Sequence, residues 1–331
     1  MFFKVFHNSD MLLFISTFLT DKDSFSLFNS NKQFYNIIKN HPHKYEVKTV
    51  IEMYNISEHV KKYKITNSII DSFKYIPNTL TQLQFGFYFN EPLIVLPNII
   101  TRLTFGNDFN QNVDNLPSSL THLTFGGNFN KNVDNLPSSL THLTFGFNFN
   151  QTVDKLPQSL TYLNFDNNFN QHVDNLPSSL THLTFGFNFN QTVDKLPQSL
   201  NYLTFGCKFN QQVDYLPKTL TYLNLGDIFN QPVNNLPEFL VKLIFGFNFN
   251  QHVDKLPQNL TQLIFGFCFN QRVDSLPSSL THLTFGYSFN QTVDKLPQSL
   301  TRLTFGYSFN QNVDNLPQLL NYLHYPITTT H

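Results

Sequence analysis

Proline recurs at every twentieth position of this chain, from Pro77 to Pro317. With each proline as column 1, the unit reads Pro-x-Ser-Leu-Thr-x-Leu-x-Phe-Gly-x-x-Phe-Asn-Gln-x-Val-Asp-x-Leu, and twelve complete units precede a truncated one. A fixed period of this length indicates a solenoid, in which each repeat packs only against its neighbours. Residues 133–160 recur unchanged as residues 173–200, which indicates growth by duplication.

Six columns of the unit are apolar. In one unit they are Leu120, Leu123, Phe125, Phe129, Val133 and Leu136. The spacing Leu-x-x-Leu-x-Phe resembles that of a leucine-rich repeat, and the alternation at columns 7 and 9 predicts a short strand with columns 6 and 8 on its other face. Twenty residues leave little room for a helix opposite the strand, so we expect extended chain or 3₁₀ turns there. The expected fold is a mainly β solenoid, a right-handed coil with parallel strands, preceded by a small α-helical module.

Two columns of phenylalanine and one of asparagine are nearly constant. Columns 9 and 13 hold Phe throughout the twelve units except at Leu225, and column 14 is always Asn. The asparagines are either a ligand-binding amide row or a ladder that satisfies loop backbone groups inside the protein. Constancy between copies favours the ladder, because a binding surface varies from repeat to repeat. The predicted structural ladder includes Phe125, Phe129, Asn130, Phe145, Phe149 and Asn150. Aspartate at column 18 is predicted to fix a turn.

The sequence Phe-Gly-x-x-Phe-Asn-Gln-x-Val, within Pro-x-Ser-Leu-Thr-x-Leu, resembles the FNIP repeat over residues 76–325. This relative of the leucine-rich repeat occurs in amoebal proteins and in large viruses that infect amoebae. The period here is slightly shorter than the usual one, and only residues 229–233 approach the usual Phe-Asn-x-Pro-Ile ending. Short bacterial leucine-rich repeats with Leu-Pro before each strand are similar as well. The resemblance implies a binding protein without catalytic chemistry.

Residues 1–40 are predicted to form a helical module, because their apolar positions suit three short amphipathic helices. The pattern resembles an F-box, although Ser9-Asp10 stands where the F-box opens with Leu-Pro. That resemblance implies binding of the Skp1 adaptor of a cullin–RING ubiquitin ligase; the alternative is a simple cap on the first coil. The implied adaptor-binding residues are Leu12, Leu13, Ile15, Phe18, Leu19, Phe28 and Phe34. Residues 41–75 are assigned as linker and N-terminal cap, 76–325 as the repeat array and 326–331 as a tail.

Charge, composition and the absence of known motifs restrict the partners and the location that we expect for this protein. A net charge of −1 argues against nucleic acid as a partner, and no apolar run is long enough for a membrane span. The apolar run 11–19 has no cleavage site after it, and two cysteines form no disulfide framework, so we expect an intracellular protein, in the cytoplasm or nucleus of the host cell. No catalytic motif, cofactor motif or metal-ligand set is present; the column 6 histidines lack a Cys or carboxylate beside them.

Column 6 varies most between repeats and is expected on the open face of the strands. Tyr and Arg are favoured at the centres of protein interfaces, so partner contact is predicted there, with drift on a tolerant surface as the alternative. The predicted contacts are Tyr162, Tyr202, Tyr222, Lys242, Ile244, Ile264 and Arg302. The expected function is a substrate-recognition adaptor whose repeats bind a protein target. The alternative is a structural or secreted binding protein, for which the glycosylation sequons at Asn150, Asn190 and Asn290 are the indication.

Overall fold

The computed structural model describes residues 45–47, 62–65, 80–93 and 95–325, and the predicted F-box-like segment lies outside these ranges. The structure divides between Gly146 and Phe147 into two compact units, 1–146 and 147–331. Each is a coil of parallel strands, and the described residues make a β-solenoid of about twelve turns. No helix, α or 3₁₀, occurs in the described ranges.

The described residues of unit 1 form six strands in chain order, each parallel to the next. They are β1 (Tyr45–Val47), β2 (Lys62–Ile65), β3 (Gln82–Phe85), β4 (Arg102–Thr104), β5 (His122–Thr124) and β6 (His142–Thr144). From β2 onwards the register advances by one repeat per strand, since Lys62 pairs with Gln82 and Gln82 with Arg102. The repeat register therefore begins within the segment predicted as linker and cap, one turn before Pro77.

Unit 2, as far as residue 325, forms nine strands with the same order and register. They are β7 (Tyr162–Asn164), β8 (His182–Thr184), β9 (Tyr202–Thr204), β10 (Tyr222–Asn224), β11 (Lys242–Ile244), β12 (Gln262–Ile264), β13 (His282–Thr284), β14 (Arg302–Thr304) and β15 (Tyr322–His324). In β7 to β14 the central leucine is buried while its two neighbours are half-buried or exposed. Columns 6 and 8 thus face away from the core.

The rest of each coil is extended chain broken by three turns, at columns 2–3, 11–12 and 18–19. The proline carbonyl closes the first turn; for example, the Leu120 N–H donates to the Pro117 carbonyl at 3.1 Å. Proline has no N–H to leave unpaired there. The aspartate turn at columns 18–19 also links coils, because Asp114 Oδ1 accepts from Asn135 Nδ2 of the following coil at 3.0 Å.

Phenylalanine fills the core in two columns, 9 and 13, with Leu225 as the exception. Phe265 and Phe269 stack within one coil at a centroid distance of 3.7 Å, and each stacks on its counterpart in the next coil, at 5.7 Å for Phe285 and 6.1 Å for Phe289. In unit 1, Phe125 and Phe129 also stack at 3.7 Å. All these rings are at most 3% exposed, as are Phe145 and Phe149. Offset-stacked rings add about 0.5–1.5 kcal/mol per pair to the burial term.

Glycine at column 10 lies where the backbones of successive coils come close together. A Cβ on Gly266 would lie 1.8 Å from the carbonyl oxygen of Gly246, the same column in the preceding coil. Backbones of successive coils therefore approach closely at this column, which is glycine in eleven of the twelve units and Asp166 in the other. Backbone dihedrals give a second reason at one position alone, Gly226, whose φ is +76°.

Candidate protein-interaction surface

Strands β9 to β12 bring five of the predicted contact residues together. Tyr202, Tyr222 and Lys242 are register partners on neighbouring strands, and so are Ile244 and Ile264. The tyrosine rings stack at a centroid distance of 4.1 Å, and Lys242 Nζ lies 5.6 Å from the centroid of the Tyr222 ring. All five side chains are half-buried. We call these five residues the Tyr–Ile patch.

The electrostatics of the Tyr–Ile patch favour the neutral form of the Tyr222 phenol. Burial raises the pKa of Tyr222 to about 12, and a hydrogen bond to the Tyr202 hydroxyl and the proximity of that group contribute. Lys242 is consequently the one formal charge in the patch at neutral pH, and it lies against a π face that attracts cations. The surface offers two aliphatic side chains, one ammonium group and two phenols, and tyrosine is enriched at the centres of protein interfaces.

The other two predicted contacts lie apart from the patch. Tyr162 on β7 connects to it through His182, whose ring centroid is 6.3 Å from that of Tyr162 and 5.6 Å from that of Tyr202. Arg302 lies two strands beyond β12, exposed, with its guanidinium 5.6 Å from the centroid of the Tyr322 ring. Tyr162 is therefore linked to the Tyr–Ile patch through one intervening ring, whereas Arg302 lies away from it.

Two histidines in unit 1 stack on adjacent strands. The rings of His122 and His142 lie 4.2 Å apart, and each Nδ1 is 2.9 Å from the hydroxyl of the preceding threonine, Thr121 or Thr141. Burial lowers the pKa of His122, and repulsion from His142 and Arg102 adds to this. Within the described ranges, no group of three or more His, Cys, Asp or Glu side chains is arranged to hold a metal ion.

A cleft of about 330 Å³ lies elsewhere in unit 2. It is lined by Pro232, Asn234, Gln251, His252 and Asp254. One imidazole and one carboxylate are fewer ligands than the three or four that a protein zinc site uses. Four of the five lining residues are also polar, whereas small-molecule sites are lined mostly by apolar residues. The Tyr–Ile patch is therefore the stronger candidate for a binding surface.

The column 14 asparagines form a ladder whose place differs from the prediction. Asn190 Oδ1 accepts the backbone N–H of Asn210 at 3.0 Å and Gln211 Nε2 at 3.0 Å. Asn130 and Asn150 take part in the same way, because the Asn130 N–H donates to Asn110 Oδ1 and Asn150 Oδ1 accepts from the Asn170 N–H, both at 2.9 Å. The prediction that these side chains lie inside is wrong: they are half-buried or exposed. The reason is that the N–H groups they satisfy belong to the turn at the edge of the core.

A row of exposed aromatic rings escaped the sequence analysis. Phe247, Phe267, Tyr287 and Tyr307, all in column 11, are 39–56% exposed and stack at centroid distances of 4.6, 4.6 and 5.4 Å. Phe87, Phe147 and Phe187 occupy the same column in isolated units, and the remaining units carry Asn, Gly, Cys or Asp there. The signal was the run of four consecutive aromatic residues at one column.

The described part of the chain contains no helix, and so none that is long and apolar enough to cross a membrane.

In comparisons with known proteins, the FNIP repeat matches eleven overlapping stretches between residues 72 and 324. CroV588, a protein with a circular leucine-rich-repeat structure, is 44% identical with a TM-score of 0.77 over 83% of this chain and 48% of its own. This chain thus spans about half the length of CroV588. YopM from Yersinia enterocolitica is 20% identical with a TM-score of 0.47, over 87% of this chain and 74% of its own. A comparison with curated proteins finds no match.

Proposed function

Because this chain belongs to the FNIP-repeat family, whose repeats cover residues 72–324, we propose that it is a non-enzymatic scaffold that binds a protein target through the Tyr–Ile patch. The observation that carries the proposal is the stacked pair Tyr202 and Tyr222 beside Ile244 and Ile264 on adjacent strands. Tyrosine buries a large area at a low cost in side-chain entropy, which suits it to the centre of an interface.

A protein target fits the patch better than a small molecule does. Its residues stand on the outward face of successive strands, so the surface is broad and mostly half-buried rather than a closed cavity. Two phenolic hydroxyls and one ammonium group can form directional hydrogen bonds with a target, and the two isoleucines provide apolar contact area. Since only Lys242 is charged, we expect a target surface that is apolar with an acceptor or acidic group opposite Lys242.

The test is affinity purification from host cells followed by mass spectrometry, with the unchanged chain and two variants as bait. Ile244→Asp places a charge in the patch, and Thr304→Asp places the same charge at the same column of β14, outside the patch. Loss of a hot-spot contact costs 2 kcal/mol or more, so Ile244→Asp should weaken target binding by about 30-fold. Thr304→Asp should bind like the unchanged chain. Equal binding by all three proteins would refute the assignment of the surface.

We further propose that residues 1–40 recruit a Skp1-type adaptor, which would make the chain a substrate-recognition subunit of a cullin–RING ubiquitin ligase in the cytoplasm or nucleus. The support is the apolar pattern from Leu12 to Phe34 ahead of a repeat array. Purified adaptor should bind the full chain, and Leu13→Asp or Phe18→Asp should abolish binding while Ile244→Asp does not. If the segment is only a cap, the first two variants will lower the melting temperature and no protein will bind adaptor.

The alternative is a structural or secreted binding protein with no ubiquitin role, which the three Asn-Gln-Thr sequons favour. Against it stands the ladder, because Asn190 already holds the Asn210 N–H and the Gln211 amide through its side chain. Mass spectrometry of peptides from the expressed protein decides between the two. A glycan on Asn150, Asn190 or Asn290 would establish passage through the secretory route, and unmodified asparagines would favour the intracellular proposal.

A further inference from the structure

The outward face of β4, β5 and β6 in unit 1 carries three basic side chains side by side. Arg102, His122 and His142 are register partners on these strands, so they stand at steps of about 4.8 Å. The first and the last are exposed, and the middle one is half-buried. We call these three residues the Arg–His row. In β3 to β15 it is the one run of three basic residues at column 6 of successive strands, and it shares no residue with the Tyr–Ile patch.

Threonines of column 5 fix which nitrogen of each imidazole carries the proton. The Thr121 hydroxyl donates its single proton to the Thr101 carbonyl at 3.0 Å, so its contact of 2.9 Å with His122 is one in which the Nδ1–H donates to the hydroxyl oxygen. The same two contacts, at 3.1 and 2.9 Å, hold His142 through Thr141. The outer nitrogen, Nε2, therefore carries a lone pair in the neutral ring and becomes an N–H donor when the ring is protonated.

Among the described residues, no acidic side chain stands on columns 6 and 8 of β3 to β7. Besides the row, β3 to β6 carry only glutamine and threonine there, and β7 of unit 2 carries Tyr162 and an asparagine. After burial, the charges that lower the pKa of His122 are those of His142 and Arg102, both positive. The turn after β4 contains one carboxylate, Asp108, whose Oδ1 accepts from two asparagine amides. The row is therefore a region of positive potential that strengthens as its histidines protonate.

We propose that the Arg–His row binds an extended acidic segment of a partner protein, with carboxylates on alternate residues, and that protonation of the two histidines strengthens the binding. The rings of His122 and His142 are stacked at 4.2 Å and nearly parallel, so their Nε2 atoms lie side by side and one carboxylate can accept from both. A second carboxylate can pair with the guanidinium of Arg102. Half-buried threonines at column 8 of the same strands offer hydroxyls to the backbone of the segment.

The spacing along the row matches alternate residues of an extended chain. Because neighbouring strands are about 4.8 Å apart, the midpoint of the two imidazoles lies about 7 Å along the array from Arg102. Side chains on one face of an extended peptide recur about every 6.6 Å. Two acidic residues separated by one other residue can therefore reach the histidine pair and the arginine together.

Two other ligands fit the row less well. A metal ion shared by two imidazoles needs nitrogen lone pairs that converge on one point, whereas stacked rings with an interplanar angle of 10° direct theirs side by side. Nucleic-acid binding depends on many phosphate contacts, roughly six to ten for a tight complex, and the row offers three cations. An acidic peptide needs only the three that are present.

The binding should depend on pH in a defined direction. A bound carboxylate favours the charged imidazole, so the pKa of His122 is higher in the complex than in the free protein. The gain in affinity is fully present below the pKa of the free protein and is lost as the pH rises through the pKa of the complex. Below about pH 4 the affinity falls again, because the carboxylates of the segment become protonated.

The first test measures the binding of two fluorescein-labelled peptides to the 331-residue chain by fluorescence anisotropy at low salt. One peptide is Ser-Asp-Ser-Asp-Ser, and the other, of equal charge and composition, is Ser-Asp-Asp-Ser-Ser. The alternating peptide should bind at least threefold more tightly than the other. Its affinity should be at least tenfold higher at about pH 5.5 than at about pH 7.5, since the histidines change charge between these values.

Matched variants separate the row from the general gain of positive charge at low pH. The double variant His122→Gln and His142→Gln should lose most of the rise in affinity, and it should fold because glutamine already occupies column 6 in two units. The control is His172→Gln with His252→Gln, which removes two exposed histidines of column 16 and should bind like the unchanged chain. Arg102→Gln should weaken binding by a similar factor at both pH values. Circular dichroism verifies the fold of each variant.

The second test observes the histidines directly. In NMR spectra of the chain with isotope-labelled histidine, the alternating peptide should raise the pKa of His122 and leave the resonances of His172 in place. An affinity that does not change with pH, equal losses in the two double variants, equal affinity for the two peptides, or an unchanged pKa of His122 overturns the proposal. Tighter binding of a single-stranded oligonucleotide than of the peptide overturns it as well. Ile244→Asp should bind the peptide normally, so the result is independent of the Tyr–Ile patch.

Discussion

Replacement of Asn190 tests whether the asparagine ladder holds the coils together through its acceptor oxygen. Asn190 Oδ1 accepts two hydrogen bonds from the next coil, from the Asn210 N–H and from Gln211 Nε2, both at 3.0 Å. In Asn190→Ala the Gln211 amide can turn to water, but the half-buried N–H of Asn210 loses its partner. An unsatisfied donor costs about 1–3 kcal/mol. At about 2–4 °C per kcal/mol for a unit of this size, a loss of 2 kcal/mol lowers the melting temperature by about 4–8 °C.

Asn190→Asp separates the acceptor from the amide. The carboxylate keeps an oxygen for the Asn210 N–H, so this variant should be close to the unchanged chain at pH 7. Donors around a carboxylate lower its pKa in the folded state below the unfolded value of about 3.9. The added stability is then present above that pH and is lost as the pH falls through the folded-state pKa. Thermal and urea unfolding of both variants decide the matter, with the exposed Asn201→Ala as control. Stability equal to the unchanged chain for Asn190→Ala, or equal losses for Ala and Asp, would refute the acceptor role.

Three further changes should have effects that follow from contacts in the structure. Phe269→Ala removes a ring that is 0% exposed and should destabilise the protein by about 3–5 kcal/mol in denaturant unfolding, a value well below 1 kcal/mol being incompatible with the stacked core. Gly266→Ala places a Cβ 1.8 Å from the Gly246 carbonyl oxygen and should cost about 1–3 kcal/mol or more in the same assay, whereas a neutral result would contradict the close approach of the coils. Hydrogen bonds from Asn135 and Asn112 hold the pKa of Asp114 below 3.8, so Asn135→Ala should raise it, as NMR titration would show.

Much of the fold could be predicted because the same pattern of apolar and polar residues recurs in every repeat. Columns 7 and 9 alternate as a strand does, and a period of twenty residues places equal columns over one another; the strands at columns 6–8 and their parallel order agree. Two features lay beyond the pattern. The sheet begins at Tyr45 and Lys62, where no proline marks a repeat, and the chain divides into two units within residues 133–160, a stretch that matches 173–200 in every letter.

The candidate surface was predictable in part. Variation at column 6 identified Tyr202, Tyr222 and Lys242, because residues outside the core are free to differ. Arg302 lies away from these three residues, because several strands separate β14 from β10. The sequence analysis grouped it with them by residue type alone. The exposed row of Phe247 to Tyr307 was not predicted, because aromatic residues usually indicate burial. Only the structure shows that this column lies outside the core.

The stacking of the coils explains which columns differ in sequence between repeats. A core ring contacts the same column in the coil before and the coil after, so one substitution disturbs two interfaces, and the inner columns stay constant. The exception is informative. Leu225 replaces a stacked phenylalanine, and Gly226 beside it is the glycine with positive φ. Both directly follow β10, whose outward residue is Tyr222 at the centre of the Tyr–Ile patch. The coil in which the phenylalanine column is interrupted is therefore the coil that carries Tyr222, although its strand has the same Tyr-Leu-Asn sequence as β7.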